Sequence, residues 1–396
     1  SIGFPFIMNI LEYFAMRRDS KQLYKVVRLL SEWTTVLVVT GVISGTLIGM
    51  QFSILWGPFV AEARPYVGKF FMLEGYMFML EAVFLAWYRI TAGKVSAFRH
   101  WLIGLPITIG AMGSAVFITT VNAWMNNPSA TFTSTTFFEI THSITGYLLA
   151  STLVVIGWLG WRLAKAQSKD RFAHRLVYSL VLLSIGLIAV IGVLGHQSAQ
   201  NLAKTQPLKL AGMEILDKTQ ANAPLRVGGQ INSAGEAEGG LVVPTALSVL
   251  AGNSPNHKVT GLDSAPRDKW PMLIIHTLFD IKMALVGALT TLLVITGFLY
   301  YRSKDKLLRD WNLKLLALFG LSGILIVELG WMVTELGRQP WAIYGKMLTE
   351  DAFTTNNSAL SIGYLFPVMF VLLLGASVFA LTMVTKAWRK REHITW

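Results

Sequence analysis

Two carboxylic side chains occur within one long apolar stretch of this sequence, where an ionisable group is costly and usually has a function. Glu74 and Glu81 are seven residues apart, so two helical turns place both carboxyls on one face. Stacked carboxyls of this kind can pass protons along a helix. The pair is therefore a candidate proton relay; the alternative is that each carboxyl only accepts a hydrogen bond from a neighbouring helix.

A single histidine opens another apolar stretch. His142 is followed one helical turn later by Gly146, and a glycine at that position lets a flat ring approach the backbone. A neutral imidazole in such a place can ligate haem iron. Taken alone, a histidine here is more often structural or interfacial, so both interpretations stay open.

A third apolar stretch is unusually polar. His276 and Asp280 are one helical turn apart in it, and Lys282 and Met283 follow them. The simple explanation of these polar residues is that Lys282 and Asp280 shield each other's charge. The alternative is that Lys282 holds a haem propionate or that the Met283 sulfur ligates iron.

The densest polar cluster contains Trp331 and Glu335 and continues as Gly-Arg-Gln-Pro-Trp at residues 337–341. Arg338 follows Glu335 by three residues and can bind carboxylates or propionates through two parallel hydrogen bonds. Pro340 ends the helix, so that the following backbone can turn. A salt bridge would explain the glutamate and the arginine but not the adjoining Gln, Pro and Trp.

The composition predicts an all-α integral membrane protein. Of the 396 residues, 53% are apolar and 14% are charged, whereas soluble domains carry about 25% charged residues. The mean hydropathy is +0.52. Because the chain has no cysteine, disulfides, thiolate catalysis, iron–sulfur clusters and covalent c-type haem are excluded. Any metal must be held by His, Met, Glu, Asp or a cofactor.

Nine apolar stretches are candidates for crossing a bilayer, which takes about 20 residues. They cover residues 1–16, 33–56, 70–88, 101–124, 142–161, 176–195, 272–301, 313–331 and 361–385. The loops after the first, third and fifth stretches hold 5, 3 and 5 basic residues, against 2 and 0 after the second and fourth. Because short cytoplasmic loops retain Lys and Arg, we predict an external N-terminus and a cytoplasmic C-terminus. The net charge of +12 then reflects topology, and no nucleic-acid partner is expected.

A long loop, residues 197–271, separates the sixth and seventh stretches and is too long for a passive connector. It divides the chain into three predicted parts: helices one to six in residues 1–196, the external loop, and helices seven to nine with the Gly-Arg-Gln-Pro-Trp motif in residues 272–396. A long loop outside the membrane is a candidate substrate-facing element.

Taken together, these residues resemble subunit I of the cytochrome bd-type quinol oxidases over essentially the whole chain. The resemblance rests on several short sequences in a fixed order: Leu-Glu-Gly at 73–75 followed by Glu81, Val-Asn-Ala-Trp-Met-Asn-Asn-Pro at 121–128, His142 with Gly146-Tyr147, Gln-Pro-Leu-Lys-Leu-Ala at 206–211, and 337–341 after Glu335. About nine spans in a haem-binding bundle, with an external loop after the sixth, also match that family.

The resemblance implies two haem b groups, low-spin and high-spin, and one haem d or a third haem b. His142 would ligate the low-spin haem b. Glu335 would ligate the high-spin haem b, with Trp331 beside it and Arg338 in the same binding site.

The resemblance also assigns the remaining polar residues. Glu74 would be a ligand at the haem d site, Glu81 would lie on the proton path to it, and Asn122 would be close by. Lys209 and Glu214 would bind quinol, which makes the long loop the family's Q-loop.

The implied activity is electrogenic but does not pump protons. Quinol would be oxidised at the outer face of a prokaryotic cytoplasmic membrane, and dioxygen would be reduced to water with cytoplasmic protons. The implied partners are quinol, dioxygen, membrane lipid and a second subunit, with room for a small single-span subunit.

Two positions depart from the family pattern. The family's first-span histidine ligand would precede residue 1, and His100 is the first histidine here; we therefore expect the gene to encode further N-terminal residues. The family's methionine ligand to the low-spin haem aligns without gaps to Lys282, and Met283 follows it. We prefer Met283, because a thioether binds ferrous haem well, whereas a lysine must first lose its proton.

Other classes of protein fit the sequence less well. A bc-type cytochrome needs paired histidines on two helices, and a haem–copper oxidase needs about six histidines within its spans. The seven histidines form neither pattern: His100, His142, His174, His196, His257, His276 and His393. A proton-coupled transporter or channel without haem is the best alternative, because carboxylate ladders also serve proton coupling.

Overall fold

The computed structural model describes residues 2–392 of the chain. Ser1 and residues 393–396, including His393, lie outside the described residues. Helices dominate, and in chain order they are α1 Gly3–Arg17, α2 Lys21–Leu55, α3 Gly57–Thr91, α4 Ala97–Asn126, α5 Ser134–Ala166, α6 Arg171–Thr205, α7 Pro207–Met213, α8 Ala246–Gly252, α9 Ile274–Arg302, α10 Asp310–Phe319, α11 Ser322–Leu336, α12 Thr349–Ala352, α13 Asn357–Gly363 and α14 Leu365–Glu392. The short strands are β1 Leu225–Val227, β2 Gln230–Ile231, β3 Ala237–Glu238, β4 Leu241–Val243, β5 Trp341–Ile343 and β6 Met347–Leu348.

Eight helical segments within residues 2–392 are long and apolar enough to cross a membrane. They coincide with the second to ninth predicted stretches, two of them built from consecutive helices: Asp310–Leu336 and Asn357–Arg391. The first predicted stretch forms α1, a helix of 15 residues. An all-α membrane protein is confirmed, and the number of spans stays a prediction.

Several spanning helices run well beyond the apolar stretch that predicts them. The helices α2, α3 and α6 each have 35 residues, or about 50 Å at 1.5 Å per residue. Hydropathy marks only the part that matches the hydrocarbon, about 30 Å. The helices continue into the polar flanks until a capping residue ends them, as where Asp170 caps the first turn of α6 through Phe172 N–H at 2.9 Å.

The chain forms two compact units, one made of the described residues up to Val121 together with those from Asp351 onward, the other Asn122–Glu350. In the first unit α2 packs against α1, α3 and α14. The α2–α14 contact includes a hydrogen bond of 2.7 Å between the hydroxyls of Thr40 and Ser377. These two units are defined by which residues pack together. The predicted division of the chain into three consecutive parts is a different one, and it stays a prediction.

In the second unit α5 packs against α6, α10 and α11, and α9 packs against α6 and α11. The helices α5 and α10 approach closely where two glycines meet: a Cβ added to Gly320 would lie 2.6 Å from Gly157 Cα. Within the predicted long loop, α6 continues to Thr205, and α7, α8 and two antiparallel strand pairs follow. The loop has its own small hydrophobic core: Leu210, Ala211, Leu216, Ala223, Leu247, Ala251, Val259 and Leu262.

Candidate functional site

In the second unit His142 lies about two turns into α5 and is half-buried. Its Nδ1 atom is buried and has no hydrogen-bond partner among the described residues. Small residues surround the ring: a Cβ added to Gly195 of α6 would lie 3.8 Å from His142 Cε1, and one added to Gly146 would meet only Val327, also at 3.8 Å. A buried polar atom without a partner costs roughly 1–3 kcal/mol. The small residues and the unpartnered nitrogen fit a haem whose iron would be ligated by the His142 imidazole.

The helix α9 presents Lys282 and Met283 in different directions. Met283 is 48% exposed. The ammonium nitrogen of Lys282 lies 5.7 Å from the Phe279 ring centroid and 3.6 Å from the place of a Cβ on Gly330, and it interacts electrostatically with His142. Adjacent helical residues differ by about 100° in direction, so Lys282 is the one that faces the interior of this unit. The ligand assignment to Met283 stays a prediction.

Glu335 lies at the end of α11 among amide and guanidinium donors. Asn122 Nδ2 donates to Glu335 Oε1, and Arg338 Nη2 donates to Glu335 Oε2. Asn126 connects both donors, since its Nδ2 donates to Asn122 Oδ1 at 2.8 Å and its Oδ1 accepts from Arg338 Nη1 at 3.2 Å. The Arg338 side chain is 3% exposed, whereas the Glu335 side chain is 43% exposed. The carboxyl is thus held on one side and open on the other, as a metal ligand must be.

Trp331 precedes Glu335 by one helical turn. Its indole N–H donates to the hydroxyl of Tyr147 on α5 at 3.0 Å. The bond joins α11 to the helix that carries His142, so the two predicted haem-binding regions of this unit share one framework.

Beside the Glu335 cluster lies Glu139, a residue that the sequence analysis missed. Its carboxyl accepts a hydrogen bond of 2.8 Å from Asn126 Nδ2. Glu139 is three residues before His142 on α5, so it lies just outside the predicted apolar stretch, which starts at residue 142. The i,i+3 spacing of an acidic and an imidazole side chain was the signal that could have revealed it.

Lys209 on α7 lies against the same cluster. It is 5% exposed, and its ammonium donates to the backbone carbonyl of Thr334 at 2.9 Å. Burial lowers the pKa of Lys209 to about 8; Glu139 and Glu335 oppose that shift, and Arg338 adds to it. Lys209 is therefore still mostly an ammonium at pH 7, but it loses its proton at a lower pH than an exposed lysine does.

Glu214 follows α7 and faces other partners. It is 3% exposed, and its Oε1 has no hydrogen-bond partner among residues 2–392. Burial, with a smaller contribution from the charge of Asp280, raises the pKa of Glu214 to about 8. The structure therefore brings Lys209 to α11 and Glu214 to the start of α9, so the two predicted quinol residues have separate surroundings.

The start of α9 is tied to the long loop through His276 and Asp280. His276 Nδ1 lies 2.7 Å from the Met213 carbonyl oxygen and Nε2 lies 3.1 Å from that of Gly228. Asp280 Oδ2 accepts from Gly228 N–H at 2.6 Å and lies 3.3 Å from His276 Nε2. These contacts position the backbone next to Glu214, which gives the pair a structural role that its spacing alone did not reveal.

The first unit contains Glu74 and Glu81 on one face of α3, as predicted. The Ser114 hydroxyl on α4 donates to Glu74 Oε1 at 2.9 Å. Glu81 is 2% exposed, and its Oε1 has no partner among residues 2–392. The helices α3 and α4 are in close contact here, because a Cβ on Gly110 would lie 2.7 Å from the Glu81 backbone nitrogen. Asn122, predicted near these carboxyls, has its described hydrogen bonds with Glu335 and Asn126.

Comparison with known proteins assigns the chain to a family. The model for cytochrome bd terminal oxidase subunit I matches residues 1–391. A Bacillus subtilis protein provisionally named cytochrome bd menaquinol oxidase subunit I is 30% identical, over 95% of this chain and 89% of its own length. The cytochrome bd-II ubiquinol oxidase subunit 1 of Escherichia coli is 22% identical over 99% of this chain and 92% of its own. The structure of bd oxidase from Geobacillus thermodenitrificans superimposes with a TM-score of 0.90 and 28% identity, covering 98% of this chain and 93% of that one.

Proposed function

Because this chain belongs to the cytochrome bd terminal oxidase subunit I family, we propose that it oxidises quinol and uses the electrons to reduce dioxygen to water. Two quinols give up four electrons and four protons, and one dioxygen takes up four of each to form two waters. The observation that carries the proposal is the Glu335 cluster: a carboxyl held by Asn122 and Arg338 on one side and open on the other.

Two haem b groups and one haem d, or a third haem b, would supply the electron carriers and the oxygen-reducing iron when bound. His142 would hold the low-spin haem b, because its Nδ1, which has no partner in the part of the chain that the structure describes, is next to small residues. Glu335 would hold the high-spin haem b beside Trp331. Arg338 and Lys282 would balance the negative charge of propionates. Lys282 faces the interior, and Met283, the ligand preferred from sequence, is the competing assignment.

At the quinol end, Lys209 and Glu214 would bind and deprotonate the substrate. A carboxyl with a pKa of about 8 exchanges its proton near neutral pH. Glu214 Oε1 has no partner within the described chain, so it is free to accept a quinol hydroxyl proton. Lys209 would orient the ring through its ammonium, which Thr334 O already fixes.

At the oxygen-reducing end, Glu74 would contact the haem d site, and Glu81 would pass protons to it. The basic loops after the first, third and fifth predicted stretches support a cytoplasmic C-terminus and an external N-terminus in a prokaryotic cytoplasmic membrane. With quinol protons released outside and water protons drawn from inside, charge is separated without pumping. A second subunit would complete the oxidase.

The test is optical and enzymatic. The purified chain, with its partner subunit, should show reduced haem b bands in a reduced-minus-oxidised spectrum, and a red-shifted chlorin band if haem d is present. Extracted haem should amount to three groups per chain, and quinol should drive oxygen consumption. A colourless preparation that moves protons across vesicles would instead support the transporter alternative.

A further inference from the structure

The first unit contains a second buried polar cluster, formed by Glu12, Tyr88 and His100. Glu12 of α1 is 1% exposed, and its Oε1 lies 2.5 Å from His100 Nδ1 at the start of α4. The Tyr88 hydroxyl near the end of α3 donates to Glu12 Oε2 at 2.8 Å. His100 Nε2 lies 3.0 Å from the Tyr88 backbone carbonyl oxygen. Three helices thus meet at one carboxyl.

The contacts of His100 determine how many protons the cluster holds. A neutral imidazole has one N–H and one acceptor nitrogen. Since Nε2 faces a carbonyl oxygen, it must be the donor. Nδ1 then either donates to the Glu12 carboxylate as part of an imidazolium or accepts from a protonated Glu12. Both arrangements place one additional proton between Glu12 Oε1 and His100 Nδ1, which makes the pair a proton store.

The cluster continues the carboxyl face of α3. Glu74, Glu81 and Tyr88 are each seven residues apart, so they share a face at steps of about 10 Å. Asn9 of α1 adds polar contacts to α4: its amide donates to the Gly104 carbonyl at 2.7 Å and to the Thr108 hydroxyl at 2.5 Å.

The residues of α4 that make these contacts also follow helical spacing. His100, Gly104 and Thr108 are four residues apart on this helix, and Gly110 follows against Glu81. Asn9 Oδ1 and Glu81 Oε1 are both buried without a partner in the described chain. Such atoms are rare in native structures, and a catalytic role or a bound water is among the explanations for them.

Three further titratable groups lie around the cluster: Asp19, Tyr24 and Arg89. Tyr24 of α2 interacts electrostatically with both Glu12 and Asp19, and Arg89 of α3 interacts with Tyr88. Arg89, together with Lys94 and Arg99, also flanks the loop between α3 and α4, which the distribution of basic residues assigns to the cytoplasmic side. The cluster therefore lies at the end of α3 from which the proposed reaction draws its protons.

We propose that Glu12, His100 and Tyr88 form a proton-loading site that supplies Glu81. The inference rests on the proposed oxidase function. In each cycle the Glu12–His100 pair gives its shared proton toward Glu81, which leaves a carboxylate facing a neutral imidazole, and a proton from the cytoplasm refills the pair. Glu12 is a relay residue here, since it does not touch the reacting atoms.

The test uses the complete oxidase in vesicles that enclose a pH indicator. Glu12→Gln should slow internal proton uptake and oxygen consumption by about tenfold or more, since a positioned acid–base group contributes roughly 10²–10⁴-fold. The haem spectrum and the KM for quinol should be unchanged. Glu32→Gln is the matched control, because Glu32 is a second buried carboxyl of the first unit whose partners are Arg391 and Arg89 and not His100. Glu12→Asp, which keeps a titratable group, should restore part of the rate.

Three results would overturn the inference: wild-type proton uptake in Glu12→Gln, equal losses in Glu12→Gln and Glu32→Gln, or a Glu12→Asp variant no faster than Glu12→Gln. If Glu12→Gln does not assemble, His100→Gln replaces it with the same expected outcome. Failure of the proposed function is separate, since it shows as a wild-type complex in which quinol drives no oxygen consumption.

Discussion

Asn122 and Glu335 are 213 residues apart in the chain, yet the Asn122 amide donates directly to the Glu335 carboxyl. The bond joins the end of α4 to the end of α11. Arg338 holds the other carboxyl oxygen, and Asn126 braces both donors. The orientation of the carboxyl is therefore fixed by residues from two distant segments before any ligand binds.

Asn122→Ala should weaken binding of the high-spin haem while leaving Glu335 in place. Partners that orient a metal ligand typically contribute about 10–100-fold to affinity, so the variant should lose its high-spin band on mild detergent washing. Glu335→Ala should lose the band outright. Haem content per chain is the measurement. Asn127→Ala is the control, since Asn127 donates to Thr135 instead; similar haem loss in both asparagine variants would contradict the expectation.

A second test asks which of two neighbouring residues, Lys282 or Met283, contacts the low-spin haem. Lys282 faces the interior near His142, whereas Met283 is 48% exposed. From this geometry we expect Lys282→Leu to shift the low-spin band and Met283→Leu to leave it unchanged. His142→Ala should remove the band in either case. A shifted band in Met283→Leu with an unaltered one in Lys282→Leu would instead support the sequence-based preference for the thioether.

Quinol oxidation should depend on pH through Glu214. Its pKa is raised from 4.5 to about 8, so the folded protein holds this proton more tightly than the unfolded chain does. The carboxylate that accepts a quinol proton accumulates as pH rises through about 8, and kcat/KM for quinol should rise over that range. Glu214→Gln should lose this rise. The control is Glu236→Gln, an exposed carboxyl of the same loop, which should keep the wild-type profile.

The same shift affects stability with a defined sign. Between about pH 4.5 and 8 the folded state binds more protons at Glu214 than the unfolded state does, so this contribution to stability is fully present below pH 4.5 and is lost as pH rises through 8. Limited proteolysis of the long loop at pH 6 and pH 9 should show faster cleavage at the higher pH. Glu214→Gln should reduce that difference, because the amide does not titrate.

Periodicity and composition predicted the helices well, because an apolar stretch of about 20 residues has few alternatives in a membrane. They also placed Glu74 and Glu81 on one face, which depends only on helical spacing. The spacing of Glu139 and His142 could point to Glu139 as a candidate, but it could not reveal the contact of Glu139 with Asn126. The contact of Glu12 with His100 was equally hidden, since both contacts join separate helices. His276 illustrates the same limit: its partners are backbone carbonyls at positions 213 and 228, which carry no sequence signal.

The contact between α5 and α10 gives a purely structural prediction. A Cβ on Gly320 would lie 2.6 Å from Gly157 Cα, a backbone atom that cannot turn aside. Gly320→Ala should therefore destabilise the second unit by about 1–3 kcal/mol, the usual cost of overpacking. A lower midpoint of thermal unfolding in detergent is the measurement. Gly186→Ala on α6, where an added Cβ meets no atom within 4 Å, should leave the midpoint unchanged, and equal midpoints for both variants would mean that the helices separate without cost.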